Sequence, residues 1–475
     1  MLAMRKILTP ILLVACFVGT LFATEETDSF GGFGKIRLYY ASPHPSRVAL
    51  FVSGDGGWNL GVVDMARELV TLDALVVGID INQYLRHLTA SSEACLYPAA
   101  EFEALSKFVQ KKLGYSVYQA PVLVGYSSGA TLVYATLVQA PFSTFEGALS
   151  LGFCPDLLLA KPMCRGSGLE WVPGLKGKGY IFQPAKSLEV PWFALQGEAD
   201  RVCDPRATEE YVKQVPHGEV IMLPKVGHGY SVPRNWMPQF RAAFTRIAAV
   251  EVDPPPQAGT ATVGGLPLIE VPATGPPNDL LAVHVTGDGG WGVTDRGIAK
   301  ALAEHGIPVV GLNSLQYFWK RRTPEETASD LDRIIRHYTA SWSKKNVIVI
   351  GYSFGADVLP FALNRLPNDT RARIQLVAFL GLSETADFEF HLLNWLTTHT
   401  RATSLPVRPE VEKLRGMKIL CFYGTEDKEA LCPSLEPGLA KSIPLTSGHR
   451  FGRGFEPVVD AILEAVNPGH PQRSF

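Results

Sequence analysis

The chain has 475 residues, enough for two domains of ordinary size. Its 44 Lys and Arg nearly balance 46 Asp and Glu, so it lacks the strongly basic face that nucleic-acid binding requires. Apolar residues make up 46%, which excludes a largely disordered chain.

The N-terminus carries Arg5 and Lys6, then an apolar stretch from Ile7 to Phe22 broken by Pro10, then acidic residues. That stretch is shorter than the roughly 20 residues a membrane-crossing helix needs. The order of segments is that of an export signal over residues 1–23, with cleavage after Ala23. Leu13-Val14-Ala15-Cys16 resembles a lipobox, but apolar residues continue past Cys16, so a cleaved signal is preferred over a lipid on Cys16. An oxidising compartment permits disulfides. Cys421 and Cys432 are placed to close a small loop. The pairing of Cys95, Cys154, Cys164 and Cys203 stays open, buried thiols included.

From about residue 47 onward, short β-branched runs alternate with amphipathic stretches. The expected strands are "RVALFVSG", "ALVVGID", "PVLVGYS", "GALSLGF" and "WFALQGE". Between them, "AAEFEALSKFVQKKLG" puts Phe102, Leu105, Phe108, Val109 and Leu113 on one helical face. Near residue 250 the composition turns to Pro and Gly ("VEVDPPPQAGTATVGG"), as in a linker. Then the first half begins again. "FVSGDGGW", "VVGIDINQYL", "GYSSGA", "LQGEADRVCDP" and "PKVGHGY" return in order as "HVTGDGGW", "VVGLNSLQYF", "GYSFGA", "FYGTEDKEALCP" and "LTSGHRF". A whole domain is duplicated. The expected division is 24–250, a linker region 251–279, and 280–475, each half a mainly parallel sheet flanked by helices.

"VIVIGYSFGADVLPFAL" runs a buried strand into Gly-x-Ser-x-Gly and then a helix. This is the nucleophile elbow of α/β-hydrolases, so the expected fold is two tandem α/β-hydrolase-like domains. A serine hydroxyl needs a base, and the base an orienting acid, in the order Ser, Asp, His. The second half offers Ser353, Asp427 and His449. The first offers a possible second triad, Ser127, Asp200 and His228. "GDGGW" follows the first strong strand in each half, where the second oxyanion amide belongs. The expected donors are Phe354 with Gly289 or Gly290, and Ser128 with Gly56 or Gly57. Asp288 and Asp55 are read first as carboxylates that bond their own loop, and second, for Asp288, as the receiver of a cationic group.

"VVGLNSLQYFWKRRTPEETASDLDRIIRHY", "VIVIGYSFGADVLPFALNRLP" and "GDGGW" together resemble the VirJ/AcvB virulence-protein family of Gram-negative bacteria. The VirJ likeness covers the second half; AcvB-type members carry two such halves behind a signal peptide. The resemblance implies a periplasmic serine hydrolase acting on aminoacylated phosphatidylglycerol, chiefly the lysyl form. It carries the nucleophile, acid and base to Ser353, Asp427 and His449. It also implies partners: an aminoacyl-phospholipid at the membrane surface, and secretion-system proteins. A lysyl substrate wants a carboxylate, and Asp288, Asp357, Glu384, Asp387 and Glu389 are the candidates. Arg450 and Arg453 follow His449, where the family often has an acid, and either hold a lipid phosphate or mark another substrate. Tyr317, Phe318 and Trp319 are lipid-contact candidates, or else core. No metal-ligand spacing is present and no cofactor is expected. The alternatives are a non-catalytic accessory of type IV secretion and a generic esterase or thioesterase.

Overall fold

The protein is described by a computed structural model covering residues 24–141, 144–249, 263–389, 404–446 and 455–466. The first half runs β1 (Thr24–Phe30), β2 (Gly34–Tyr40), β3 (Arg47–Val52), α1 (Leu60–Val70), β4 (Ala74–Ile79), α2 (Ile81–Ala90), α3 (Pro98–Lys112), β5 (Val122–Tyr126), α4 (Ser128–Gln139) and β6 (Gly147–Leu151). It continues with β7 (Asp156–Leu157), β8 (Trp171–Pro173), β9 (Tyr180–Phe182), β10 (Trp192–Gly197), α5 (Pro205–Val212), β11 (Gly218–Leu223) and α6 (Met237–Ala249). The second half runs β12 (Leu268–Val271), β13 (Leu280–Val285), α7 (Val293–Glu304), β14 (Val309–Leu312), α8 (Ser314–Tyr317), α9 (Pro324–Ser341), β15 (Asn346–Tyr352), α10 (Phe354–Asn364), α11 (Asn368–Arg371) and β16 (Ile374–Leu380). It ends with β17 (Thr385–Ala386), β18 (Leu405–Pro406), α12 (Arg408–Glu412), β19 (Ile419–Gly424), β20 (Lys441–Leu445) and α13 (Glu456–Val466).

Each half builds its own sheet, in the order β1-β2-β4-β3-β5-β6-β10-β11 and β12-β14-β13-β15-β16-β19-β20. From β4 to β11, and from β14 to β20, neighbours are parallel. A parallel sheet must be covered on both faces, and its central strands therefore read as continuous apolar runs. Alternate residues show this. Val48, Leu50 and Val52 of β3 join one core, while Ala49 and Phe51 join the core on the opposite face. β13 divides likewise, with Leu281 and Val283 on one side and Leu280 and Ala282 on the other. These are two α/β-hydrolase-type units, and the carboxyl ends of their parallel strands present the loops that carry Ser127 and Ser353.

The expected linker region 251–279 needs correction. Leu268–Val271 pairs antiparallel with β14 and so belongs to the second sheet; residues 250–262 lie outside the described residues. The halves also touch. Tyr118, Leu315 and Trp319 form a small shared core. Trp319 Nε1 donates to the Tyr115 carbonyl at 2.8 Å and Gln316 Nε2 to the Tyr118 carbonyl at 2.9 Å. Lys111 pairs with Glu389 across the same seam at 3.6 Å. Tyr317, Phe318 and Trp319 are each no more than 1% exposed, so they are core and seam rather than a lipid-facing loop.

Three disulfides join Cys95 to Cys164, Cys154 to Cys203, and Cys421 to Cys432. The third is the one read from spacing; the other two resolve the open pairing. The N-terminal residues 1–23, with Cys16, lie outside the described residues.

Candidate active site

β5 delivers its last residue, Tyr126, to a turn that Ser127 can occupy only with a left-handed backbone, at φ 55°. Such a conformation strains a non-glycine residue and persists where surrounding structure holds it. Here the Ser127 amide bonds the Leu151 carbonyl at 2.8 Å, and α4 starts at the next residue. Gly129 lets the elbow close: a Cβ there would stand 2.4 Å from the Ser53 carbonyl oxygen. Ser353 repeats the geometry at φ 50°, its amide 2.7 Å from the Leu380 carbonyl.

In the first half the other two residues arrive from β10 and β11. Ser127 Oγ lies 2.9 Å from His228 Nε2, and His228 Nδ1 lies 2.8 Å from Asp200 Oδ2. The Asp200 side chain is fully buried, and that of His228 is 18% exposed. Asp200 accepts from the amides of Val202 (2.8 Å) and Cys203 (3.0 Å) through Oδ1, and from Gln196 Nε2 (3.1 Å) through Oδ2. A carboxylate offers these donors only acceptor oxygens. The imidazole proton therefore sits on Nδ1, and Nε2 turns its lone pair to the serine. Tyr126 fixes the base from behind, donating its hydroxyl to the His228 carbonyl at 2.8 Å.

In the second half Asp427 occupies the turn after β19 as Asp200 does after β10. Its amide bonds the Gly424 carbonyl at 3.0 Å, against 3.1 Å from Asp200 to Gly197. Its Oδ1 accepts from the amide two residues on, Glu429, at 3.1 Å. His449, Arg450 and Arg453 lie outside the described residues.

For the oxyanion, Ser128 and Phe354 head their helices, where backbone amides have no intrahelical acceptor. Of the expected glycine donors, Gly57 and Gly290 are already used. Their amides bond the Gly54 and Gly287 carbonyls in turns, at 2.9 and 3.1 Å. Gly56 and Gly289 are the other two candidate donors in these loops. Asp55 accepts from the Ser128 hydroxyl at 2.6 Å, so in the first half it bonds within its own site. Phe354 stands in Ser128's place and has no hydroxyl to offer Asp288.

The acidic candidates of the second half separate. Glu384 pairs with Arg408 at 3.7 Å, and Glu389 with Lys111. Asp387 accepts from the Ser404 hydroxyl at 2.9 Å. Asp357 accepts from the Ser383 amide at 2.7 Å. Burial pushes the Asp357 carboxyl well above its ordinary range, bonds from Ser383 oppose this, and the charges of Asp288 and Asp387 add to the rise. Asp288, Asp357 and Asp387 thus form one electrostatic group close to the Ser353 elbow.

Asp200, Cys203 and His228 come within 4.8 Å of one another, as metal ligands do. Cys203 Sγ is committed to Cys154, and Asp200 to His228, so these residues do not constitute an ion site. The roles of Gln196 and Tyr126 were not read from sequence. Gln196 is on the strand that leads into the acid and Tyr126 directly precedes the nucleophile, and those positions were the available signal.

A family model described as "Bacterial virulence protein (VirJ)" matches residues 46–147 and 279–469, more than half of the chain. The first segment contains Ser127 but stops short of Asp200 and His228. No curated protein matches the sequence. Among solved structures, the esterase domain of a Rhodothermus marinus protein is 17% identical over 47% of this chain and 98% of that one, with a TM-score of 0.33. Est1E from Butyrivibrio proteoclasticus is 12% identical over 48% and 99%, with a TM-score of 0.32. An α/β serine hydrolase without lid from Xanthomonas campestris is 18% identical over 48% and 94%, with a TM-score of 0.30. All are distant.

Proposed function

The chain belongs to the bacterial virulence protein (VirJ) family, and from that premise we propose that it is an exported serine esterase. Its substrate is an aminoacylated phosphatidylglycerol, chiefly the lysyl form, cleaved to the free amino acid and phosphatidylglycerol. The observation that carries the chemistry is the continuous hydrogen-bonded path from Ser127 through His228 to Asp200. Export into the periplasm is supported by the N-terminal segment and by three disulfides, which persist in oxidising compartments.

Ser127 Oγ attacks the acyl carbonyl carbon while His228 Nε2 takes the hydroxyl proton. Asp200 holds the imidazolium that forms. The tetrahedral oxygen receives the Ser128 amide and one from Gly56, donors worth roughly 3 kcal/mol each at such sites. Collapse breaks the ester bond, and His228 returns its proton to the departing glycerol oxygen. Water then attacks the acyl-serine with His228 as base, freeing the amino acid and restoring Ser127. Ser353, Asp427 and His449 follow the same scheme in the second half. There the group of Asp288, Asp357 and Asp387 supports a cationic acyl moiety, as lysine is.

The test incubates the mature chain with lysyl-phosphatidylglycerol and follows free lysine, beside Ser127→Ala and Ser353→Ala variants and a serine-reactive probe. A working triad loses at least about a thousandfold in rate with its serine. Labelling without lysine release overturns the substrate; neither labelling nor release overturns the enzyme.

A further inference from the structure

Between Gly152 and Trp192 the first half leaves its main sheet and builds a small one of its own, in the order β7-β9-β8. The turn joining β8 to β9 is Gly174–Gly179, closed by its own backbone bonds: Gly174 amide to Gly179 carbonyl at 2.9 Å and Gly177 amide to Gly174 carbonyl at 3.0 Å. Its tip is apolar and bare. Leu175 is 85% exposed, Leu158 71% and Val172 44%. Leu158 lies beside the turn, since a Cβ on Gly179 would stand 2.9 Å from its Cα. Burying such side chains is worth far more than leaving them in water, so their exposure on an ordered hairpin requires a reason.

The turn itself carries only positive charge, and the acids nearest these apolar side chains in the chain are Asp156 on β7 and Glu170 before β8. Lys176 and Lys178 are exposed in the same turn. From Trp171 to Leu188 there are three lysines and no Asp or Glu. Lys186 pairs with Glu170, whereas neither turn lysine enters an ion pair among the described residues. A soft apolar layer under anionic headgroups accommodates exposed leucines and draws in lysines.

The tip is also tied to the triad. β6, β10 and β11 are parallel, so the segments that follow them leave the same edge of the sheet. The insertion starts at Gly152, where a Cβ would stand 3.2 Å from the His228 ring. Cys154 then binds covalently to Cys203, whose amide holds Asp200. Val202, 68% exposed, sits between acid and disulfide.

We propose that this three-stranded insertion docks the protein on an anionic lipid bilayer, with Leu158 and Leu175 in the interface and Lys176 and Lys178 on the headgroups, which brings the Ser127 edge to the membrane. The proposal rests on the lipid-ester reading for its purpose, but its test reads binding and not turnover. The full mature chain is sedimented with vesicles of phosphatidylcholine alone and of phosphatidylcholine containing about one third phosphatidylglycerol. Expected are binding to the anionic vesicles, weakening with salt, and unchanged binding by Ser127→Ala. Leu158→Ser with Leu175→Ser, and separately Lys176→Glu with Lys178→Glu, each lower partitioning at least about tenfold with an unaltered thermal midpoint. Wild-type-like sedimentation by the leucine pair overturns the proposal, as does wild-type protein that stays in the supernatant. Binding without lysine release leaves the docking face standing and removes the proposed chemistry.

Discussion

Thr131 and Asp357 stand at the same place after their elbow serines and bond the next strand's end in opposite senses. Thr131 Oγ1 donates to the Cys154 carbonyl at 2.6 Å, whereas Asp357 Oδ1 accepts from the Ser383 amide at 2.7 Å. The duplicated halves have therefore diverged beside the nucleophile, one neutral and one acidic.

That divergence predicts a difference in substrate choice. Burial and neighbouring negative charge favour the protonated form of Asp357. A bound ammonium favours the ionised form, so binding expels a proton and tightens as pH rises toward the elevated pKa. Asp357→Thr is expected to cost about tenfold or more in KM for lysyl-phosphatidylglycerol, and little for the alanyl lipid. KM for both lipids across pH measures this. Equal losses on both lipids would show that Asp357 only supports the helix.

Much of this arrangement was legible in the sequence. The strands around Ser127 are continuous apolar runs because both faces of a parallel sheet are buried, and the serine and acid candidates of each half follow such runs. β1 was not legible. Its sequence, "TEETDSF", lies at the sheet edge, mostly exposed, and pairs through backbone rather than through an apolar face. β12 hid in Pro- and Gly-rich surroundings because an edge strand of four residues needs little composition of its own. The cysteine pairs depend on Cα separations of 5.0 and 5.3 Å across long loops, which no local pattern encodes.

Removing the Cys154–Cys203 bridge tests how far the insertion supports the acid. The bridge spans 49 residues, and its loss costs roughly 4 kcal/mol by loop entropy. Because the Cys203 amide bonds Asp200 Oδ1, Cys154→Ser with Cys203→Ser is expected to slow serine-probe labelling at Ser127 beyond any loss of folded protein. Labelling at Ser353 stays unchanged and serves as the internal control. Peptide-resolved labelling reads both sites in one sample.

Glu146 gives a pH signature of the first half. Burial raises its carboxyl to about 7, with Arg47 opposing. The folded state thus holds a proton that the unfolded chain releases near pH 4.5. Stability from this residue is full below that pH and is lost as pH rises through 7. Glu146→Gln is expected to match the wild type near pH 4 and to exceed its thermal midpoint at pH 8. Parallel melting curves at the two pH values check it; a variant less stable at both would mean that the ionised carboxylate is the favoured form.

Trp319 couples the halves, and its loss should be felt at Ser353. Its indole donates to the Tyr115 carbonyl and its ring lies 5.2 Å from that of Tyr118, both in the first half. Its neighbour Phe318 packs 4.9 Å from Phe354, the residue that follows Ser353 and heads α10. Trp319→Ala opens a cavity at the seam and leaves the Tyr115 carbonyl without its donor, a loss of about 3–5 kcal/mol for a buried Trp. With the seam weakened, the single melting transition is expected to split into two. Phe354 then loses support, so labelling of Ser353 slows while Ser127 reacts as before. Trp319→Phe keeps the ring against Tyr118 without the indole donor, and should restore most of the coupling. A single unshifted transition in Trp319→Ala would mean that the halves hold together through their other contacts, such as Arg296 with Glu189 at 3.8 Å.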